Sequence, residues 1–490
     1  MTLLRADDRL FQVEVSESPA REVSRPAGRD KTFRPYDQRQ TFLLPPSLDD
    51  WLPAEHTARF ISETVDSALD LSFVYDAYAN ATGAPPYDPA MMTKLLLYGY
   101  SIGVTSSREI ERRCATDVAF RWLGANTAPD YRSISRFRRR HLGALEDLFT
   151  QVLVLCQRAG LVGLGRVALD GTKVRAAASR HKAMSYDRMG KRVEELRGEV
   201  KAMLAEAEAS DLKEDEEFGE DRRGDELPPE LATRQARLAA ILTAKEALEA
   251  EAREKAAKEA VKKAQVKGAS PETAKRASED AATSAAVNPR AQRNFTDPDA
   301  RIMKTADGSF HYCFNAQAVV DERAQVIIAT SLVQDATDVH QLIPMIETAT
   351  EQLGRAGVTT SPRVLLADAG YCSADNLDAT AHGPSEVLLA TGRQQHGERV
   401  TDSPRGRIPT NATSRERMAR RLRTKSGRVD YARRKVIVEP VFGQMKVRQH
   451  AGQFRLRGLE GAQGEWTLHA ICHNLRKLAN ANSPGLLANA

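Results

Sequence analysis

The sequence predicts an α/β protein whose sheet is interrupted once by a charged helical insertion and which is preceded by an all-helical domain. Three observations carry this. Two short apolar segments, Val167-Ala168-Leu169 and Val364-Leu365-Leu366-Ala367, read as strands, and each runs into an aspartate. Apolar positions across 41–150 recur at helical rather than alternating spacing. Between 181 and 295 the composition turns to Lys, Glu, Ala and Arg, with no strand-like sequence. The 490 residues suffice for two or three domains at ~150 residues each.

Residues 1–40 are polar and aperiodic, with Pro19, Pro26 and Pro35, and read as a flexible leader. Acids at Asp7 and Asp8 stand where a secretory signal needs an apolar stretch. No run of ~18 apolar residues occurs, so no membrane-spanning helix is expected. Cys114, Cys156, Cys313, Cys372 and Cys472 are scattered, without a C-x-x-C pair, which fits a reducing cytosol and excludes a zinc ribbon. A cytoplasmic, nucleoid-associated protein is expected.

Within 41–150, periodicity predicts helices over 55–79 and 89–103, with further helices from about Ser107 and Ser133. The last begins Tyr131-Arg132-Ser133-Ile134-Ser135-Arg136-Phe137-Arg138-Arg139-Arg140, five arginines in ten residues. Such basic density suits phosphate contact, so Arg132, Arg136, Arg138 and Arg139 are candidate DNA contacts; a solvated helix face is the plainer alternative. A strand over Val167–Leu169 then ends in Asp170-Gly171. Gly160, Gly163 and Gly165 precede this strand instead of following it, so they cannot form a dinucleotide cradle.

The segment 181–295 reads as a helical pair rich in i,i+4 charge pairs, with a turn in the acidic Asp211–Asp225 region and an exit at Gly268 and Pro271. Strands are predicted over 310–320, 325–333, 363–371 and 386–391, with helices over 340–353 and 373–382. Asp335, Asp338 and His340 read as turn and N-cap residues. His469, Cys472 and His473 have metal-compatible spacing but fit better a helix packed on the sheet, with Trp466 in the core.

Charge concentrates late in the chain. Residues 415–435 carry ten Lys and Arg against Glu416 and Asp430, a net +8 where the whole chain has +5. Beyond this run Glu439 follows the apolar triplet Val436-Ile437-Val438, and Lys446 lies two helical turns further on the same face. Pro440 requires the helix to begin or kink there. Strand-end Asp170 and Asp368 are sited where open α/β sheets gather their ligands. Two or three such carboxylates suffice for a hard divalent cation, which keeps waters and phosphate oxygens as its other ligands. Either aspartate alone is more often a turn residue.

Together these residues resemble the DDE insertion-sequence transposases, in the branch with a Tyr…Arg…Glu…Lys signature. Asp170-Gly171-Thr172 resembles the first motif and Ala367-Asp368-Ala369-Gly370-Tyr371 the second. Tyr431, Glu439 and Lys446 resemble the signature, with Arg434 or Lys435 in the arginine's place. The likeness extends to Phe33–Pro53 and Ile134–Arg138, covering about 33–480. It implies an RNase-H-like catalytic domain from 160–180 and 296–482, a helical insertion over 181–295 and a DNA-binding domain over 41–150. It also implies that Asp170, Asp368 and Glu439 hold two Mg²⁺ or Mn²⁺ ions, while Arg434, Lys435, Lys446 and Tyr431 contact DNA. The partners implied are the terminal inverted repeats and target DNA, handled by a dimer or larger assembly. Water would free a 3′-hydroxyl that then attacks target DNA, with no ATP, as the lack of a G-x-x-x-x-G-K-[ST] loop agrees. A nuclease without joining, an inactive DNA-binding derivative and a structural protein assembled through 181–295 are the competing readings.

Overall fold

The computed structural model describes residues 47–78, 85–179, 182–218, 229–392 and 403–481. The expected leader and the Phe33–Pro46 part of the resemblance lie outside them.

The described residues open with eight helices: α1 (Leu48–Trp51), α2 (Thr57–Ser67), α3 (Ser72–Asp76), α4 (Pro89–Ser101), α5 (Ser107–Thr116), α6 (Val118–Leu123), α7 (Tyr131–Arg140) and α8 (Ala144–Arg158). Local sequence starts several of them. Asp88 caps α4 by accepting from Met91 N, and Pro89 occupies the first turn, where no donor is lost. Asp130 caps α7 through Arg132 N and Ser133 N, both at 3.0 Å. The helix expected over 55–79 is in fact α2 and α3, and α6 and α8 were not foreseen.

A mixed sheet follows. Strand β1 (Arg166–Arg175) leads to β2 (Ala183–Ser185), then α9 (Tyr186–Phe218), α10 (Pro229–Val266) and α11 (Pro271–Thr283). Strand β3 (Gln292–Asn294) pairs antiparallel with β2 and closes the base of this insertion. The insertion has its own small core, in which Met189, Val193 and Leu196 of α9 meet Ile241, Ala244 and Leu248 of α10. The turn expected between the helices lies largely in 219–228, outside the described residues.

The remaining elements are β4 (Arg301–Lys304), β5 (Phe310–Asp321), β6 (Ile327–Val333), α12 (Leu342–Arg355), β7 (Val364–Ala367), α13 (Ala374–Ala379), β8 (Glu386–Leu389), α14 (Ser414–Arg423), α15 (Lys425–Arg448) and α16 (Leu459–Ala481). The sheet runs β4-β5-β1-β7-β8, with β6 also paired to β5. Strand β5 is antiparallel to β1, β4 and β6, whereas β7 is parallel to β1 and β8 to β7. Strand β1 is thus central, and its segment Val167-Ala168-Leu169 is fully buried. That burial explains its continuous apolar run.

One hydrophobic core joins helices α2 to α8 to the sheet and to α15 and α16. Helix α16 is buried nearly all round, from Gly461 to Leu475, as a helix enclosed by neighbours must be. Its Trp466 is fully buried and donates from Nε1 to Gln317 O at 3.1 Å. His469 and His473 are buried in the same helix, and burial holds them neutral, near about 3 and about 4. Cys472 Sγ donates to Leu97 O at 3.3 Å. These three serve packing, as the helical spacing suggested. No described helix is long and apolar enough to cross a membrane.

Candidate active site

Asp170 lies inside β1, not at its end: the strand continues to Arg175, opposite β5. Its pairing with β7, however, stops at Ala168 opposite Leu366. Two residues on in each strand stand Asp170 and Asp368, so the parallel register brings the two carboxylates to the same level. Asp368 leaves β7 by capping a short 3-10 turn over Ala369–Tyr371, accepting from Gly370 N at 2.8 Å. Burial, together with the charge of Asp368, pushes Asp170 up to about 6 in spite of the opposing Arg434.

The sequence expects the strand to end at Asp170-Gly171, whereas β1 continues to Arg175. Gly171 is needed for clearance. A Cβ there would lie 2.4 Å from Gln317 Nε2, 2.7 Å from Asp338 Oδ1 and 3.0 Å from Asn315 Oδ1. Only glycine lets the backbone approach this polar floor.

Helix α15 packs across β1 and β7 and supplies the signature residues. Arg434 is buried, with Nη1 2.9 Å from Asp170 Oδ2 and Nη2 3.5 Å from Glu439 Oε1. Lys435 points to solvent, so the structure chooses Arg434 of the two alternatives. Tyr431 donates to Ala367 O at 3.3 Å, beside Asp368, and burial pushes its hydroxyl up to about 12. Lys446 donates to Thr172 Oγ1 and Lys173 O, and burial lowers its pKa. Pro440 sits within α15 without ending it. Its missing N–H leaves the Val436 carbonyl free, and Gln325 Nε2 donates to that oxygen at 3.0 Å.

Three residues of the floor were missed or misassigned in the sequence. Asp338 does not cap α12, whose N-cap is Gln341. Instead Asp338 Oδ1 accepts from Asn315 Nδ2 at 2.6 Å, Gln317 Nε2 at 2.9 Å and Lys173 Nζ at 3.4 Å. Asn315 and Gln317 are fully buried on β5. The one available signal was two amides in a strand otherwise apolar.

The basic helix α7 divides its arginines. Arg132, Arg136 and Arg139 are exposed. Arg138 is buried and is corrected as a DNA contact: its Nη1 donates to Tyr100 Oη at 2.6 Å and to Thr105 O at 2.9 Å. Tyr100 in turn donates to the buried Glu465 at 3.1 Å. Arg138 therefore ties α7 to α4 and α16.

The acidic centre fits a hard divalent cation of open coordination. Its donors are carboxylate oxygens, and a guanidinium already bridges Asp170 and Glu439 as a cation would. Glu439 keeps half its side chain in solvent. Among the described residues no group of three or more His, Cys, Asp or Glu is placed to hold a metal ion by itself. Mg²⁺, which takes one or two carboxylates plus waters and phosphate oxygens, needs no such group.

Paired acids at neighbouring strand positions and a third acid on a helix packed across them thus gather carboxylates at one place on the sheet. Residues 46–140 match the family described as Transposase domain (DUF772), and residues 287–475 match the family described as Transposase DDE domain. No curated protein and no solved structure gives a significant match. The two matches together support an insertion-sequence DDE transposase. Asp368 and Glu439 fall inside the second match and Asp170 inside neither. These domains imply a DNA substrate and an enzyme of the nucleotidyl-transferase or hydrolase type.

Proposed function

We propose that this chain binds the ends of an insertion sequence, cleaves the DNA there by metal-assisted hydrolysis and joins the freed 3′-hydroxyls to target DNA. The observation that carries this reading is the level placement of Asp170 and Asp368 on adjacent parallel strands, with Arg434 and Glu439 of α15 packed against them. The strand arrangement, three antiparallel partners around β5 followed by parallel β7 and β8, supports an RNase-H-like catalytic domain. That domain would comprise 160–180 and 296–482, with 181–295 as its insertion and 41–150 as the DNA-binding part.

Asp170, Asp368 and Glu439 would hold two Mg²⁺ or Mn²⁺ ions. When bound, such ions activate the attacking oxygen and neutralise charge on the leaving one. The chain's own residues do the rest. Arg434 holds Asp170 and Glu439 ready, and Tyr431 ties α15 to the strand end at Ala367. Lys446, desolvated beside Thr172, offers positive charge to a phosphate near the carboxylates. Arg132, Arg136, Arg139 and Lys435 contact the backbone from exposed helix faces, in a salt-dependent manner. Two element ends must be handled together, so a homodimer or larger assembly on the terminal inverted repeats is the working form, in the cytoplasm at the nucleoid.

The test is joining. Pre-cleaved end duplexes carrying free 3′-hydroxyls, incubated with supercoiled plasmid and Mg²⁺ or Mn²⁺, should yield covalent end–plasmid products. Plasmid nicking without any joined product would favour the nuclease reading instead.

A further inference from the structure

We propose that Gln317 and Asp338 are positioning residues that set the spacing between Asp170 and Asp368; this rests on the catalytic reading above. Gln317 faces Gly171 across the β1–β5 ladder and is fully buried. Its carbonyl and both side-chain polar atoms are engaged. Its backbone carbonyl accepts from Trp466 Nε1, its Nε2 donates to Asp338 Oδ1, and its Oε1 accepts from the Tyr371 hydroxyl. Tyr371 is itself fully buried and closes the turn that Asp368 begins. Gln317, on β5 directly opposite Gly171, thus links the strand that pairs with the Asp170 strand to the turn bearing Asp368.

Asp338 anchors the other end. Its Oδ1 collects Lys173, Asn315 and Gln317, and its Oδ2 takes no hydrogen bond among the described residues. That free oxygen faces the Asp368 turn. The position a Cβ would occupy on Gly370 lies 3.5 Å from Asp338 Oδ2 and 2.9 Å from Asp368 Oδ1. Lys173, two residues past Gly171, is held by the same carboxylate, so Asp338 fixes β1 beyond Asp170 as well.

Stability alone does not account for this cluster. Buried polar networks stabilise only when every member is satisfied, and apolar residues of similar volume do as well or better. Here Asn315 Oδ1 is buried and has no partner among the described residues. A network that costs stability beside two carboxylates is one that specifies geometry. Groups hydrogen-bonded directly to a ligand typically change metal affinity 10–100-fold when removed, and this network acts one contact further out, at the lower end of that range.

The experiment is a Mn²⁺ titration of the purified full chain, followed by the paramagnetic resonance of free Mn²⁺. Wild type, Asp170→Asn, Tyr371→Phe and Asp338→Asn are compared, each with a metal-free melting curve. Tyr371→Phe removes a single hydroxyl without changing charge, so it separates positioning from simple electrostatics at Asp338. Asp170→Asn should lose Mn²⁺ binding, while Tyr371→Phe and Asp338→Asn should bind about 10-fold more weakly. If Tyr371→Phe and Asp338→Asn bind Mn²⁺ as tightly as wild type, whatever their melting temperatures, the positioning role is overturned and the catalytic reading stands. If wild type itself binds no Mn²⁺, both fall together.

Discussion

Helices α7 and α15 both announce themselves as runs of arginine, and each turns one arginine inward to a different end. In α7, Arg138 reaches Tyr100 and, through it, Glu465, joining the helical region to α16. In α15, Arg434 reaches Asp170 and Glu439 at the rim of the sheet. One buried cation serves the fold and the other serves the site. Charge density cannot tell these apart, because it counts arginines without asking which way they point. Helical phase can. Ile134, Phe137, Arg138 and His141 share one buried face, as do Asp430, Arg434, Ile437, Val438 and Val441.

The comparison breaks most visibly at Arg138. Arg138→Met removes the hydrogen bonds to Tyr100 and Thr105 and leaves those buried acceptors without their donor, which costs about 1–3 kcal/mol. Denaturant unfolding should show a loss of that size, with DNA affinity per folded molecule unchanged. A fully stable variant that binds DNA poorly would return Arg138 to the DNA surface.

At the site the signature is one of pH, carried by the carboxylate that Arg434 faces. Asp170 is raised from 3.8 to about 6, mainly by burial and then by Asp368, against the pull of Arg434. An acid whose folded value is raised opposes its own ionisation in the fold. Its contribution to stability is therefore full below about 4 and is lost as pH rises through about 6. Melting temperatures of the metal-free chain should fall across that window, and the fall should shrink in Asp170→Asn. Equal pH profiles for the two proteins would show that Asp170 is not strained.

The smallest effects belong to the exposed arginines. Arg136→Ala with Arg139→Ala should shift stability by no more than about 0.5 kcal/mol each. Their effect should appear in DNA binding, where losing two phosphate contacts lowers the salt slope by about 2. An unchanged slope would leave α7 as a solvated face.

How much of this was legible depends on what fixes each residue. Asp170 and Asp368 stood out because each follows a short apolar run, and parallel register does the rest. The insertion declared itself by composition, since a solvated helical pair needs little apolar sequence. Gly171 reads in the sequence only as the end of a strand; its constraint is the approach of Gln317 and Asp338, which lie far along the chain. Asp338 looked like a helix cap for the same reason: local sequence offers the cap, and tertiary contacts with β5 overrule it. The choice of Arg434 over Lys435 required knowing that α15 continues through Pro440, which Gln325 permits by taking the Val436 carbonyl.

The most direct test of the central claim is single-turnover cleavage of a duplex spanning an element end, with Mg²⁺ or Mn²⁺, by wild type and by Asp368→Ala matched for folding and end binding. Metal-dependent nicking at the element boundary that vanishes in Asp368→Ala is the predicted result. Equal nicking by both proteins would contradict the placement of catalysis between β1 and β7.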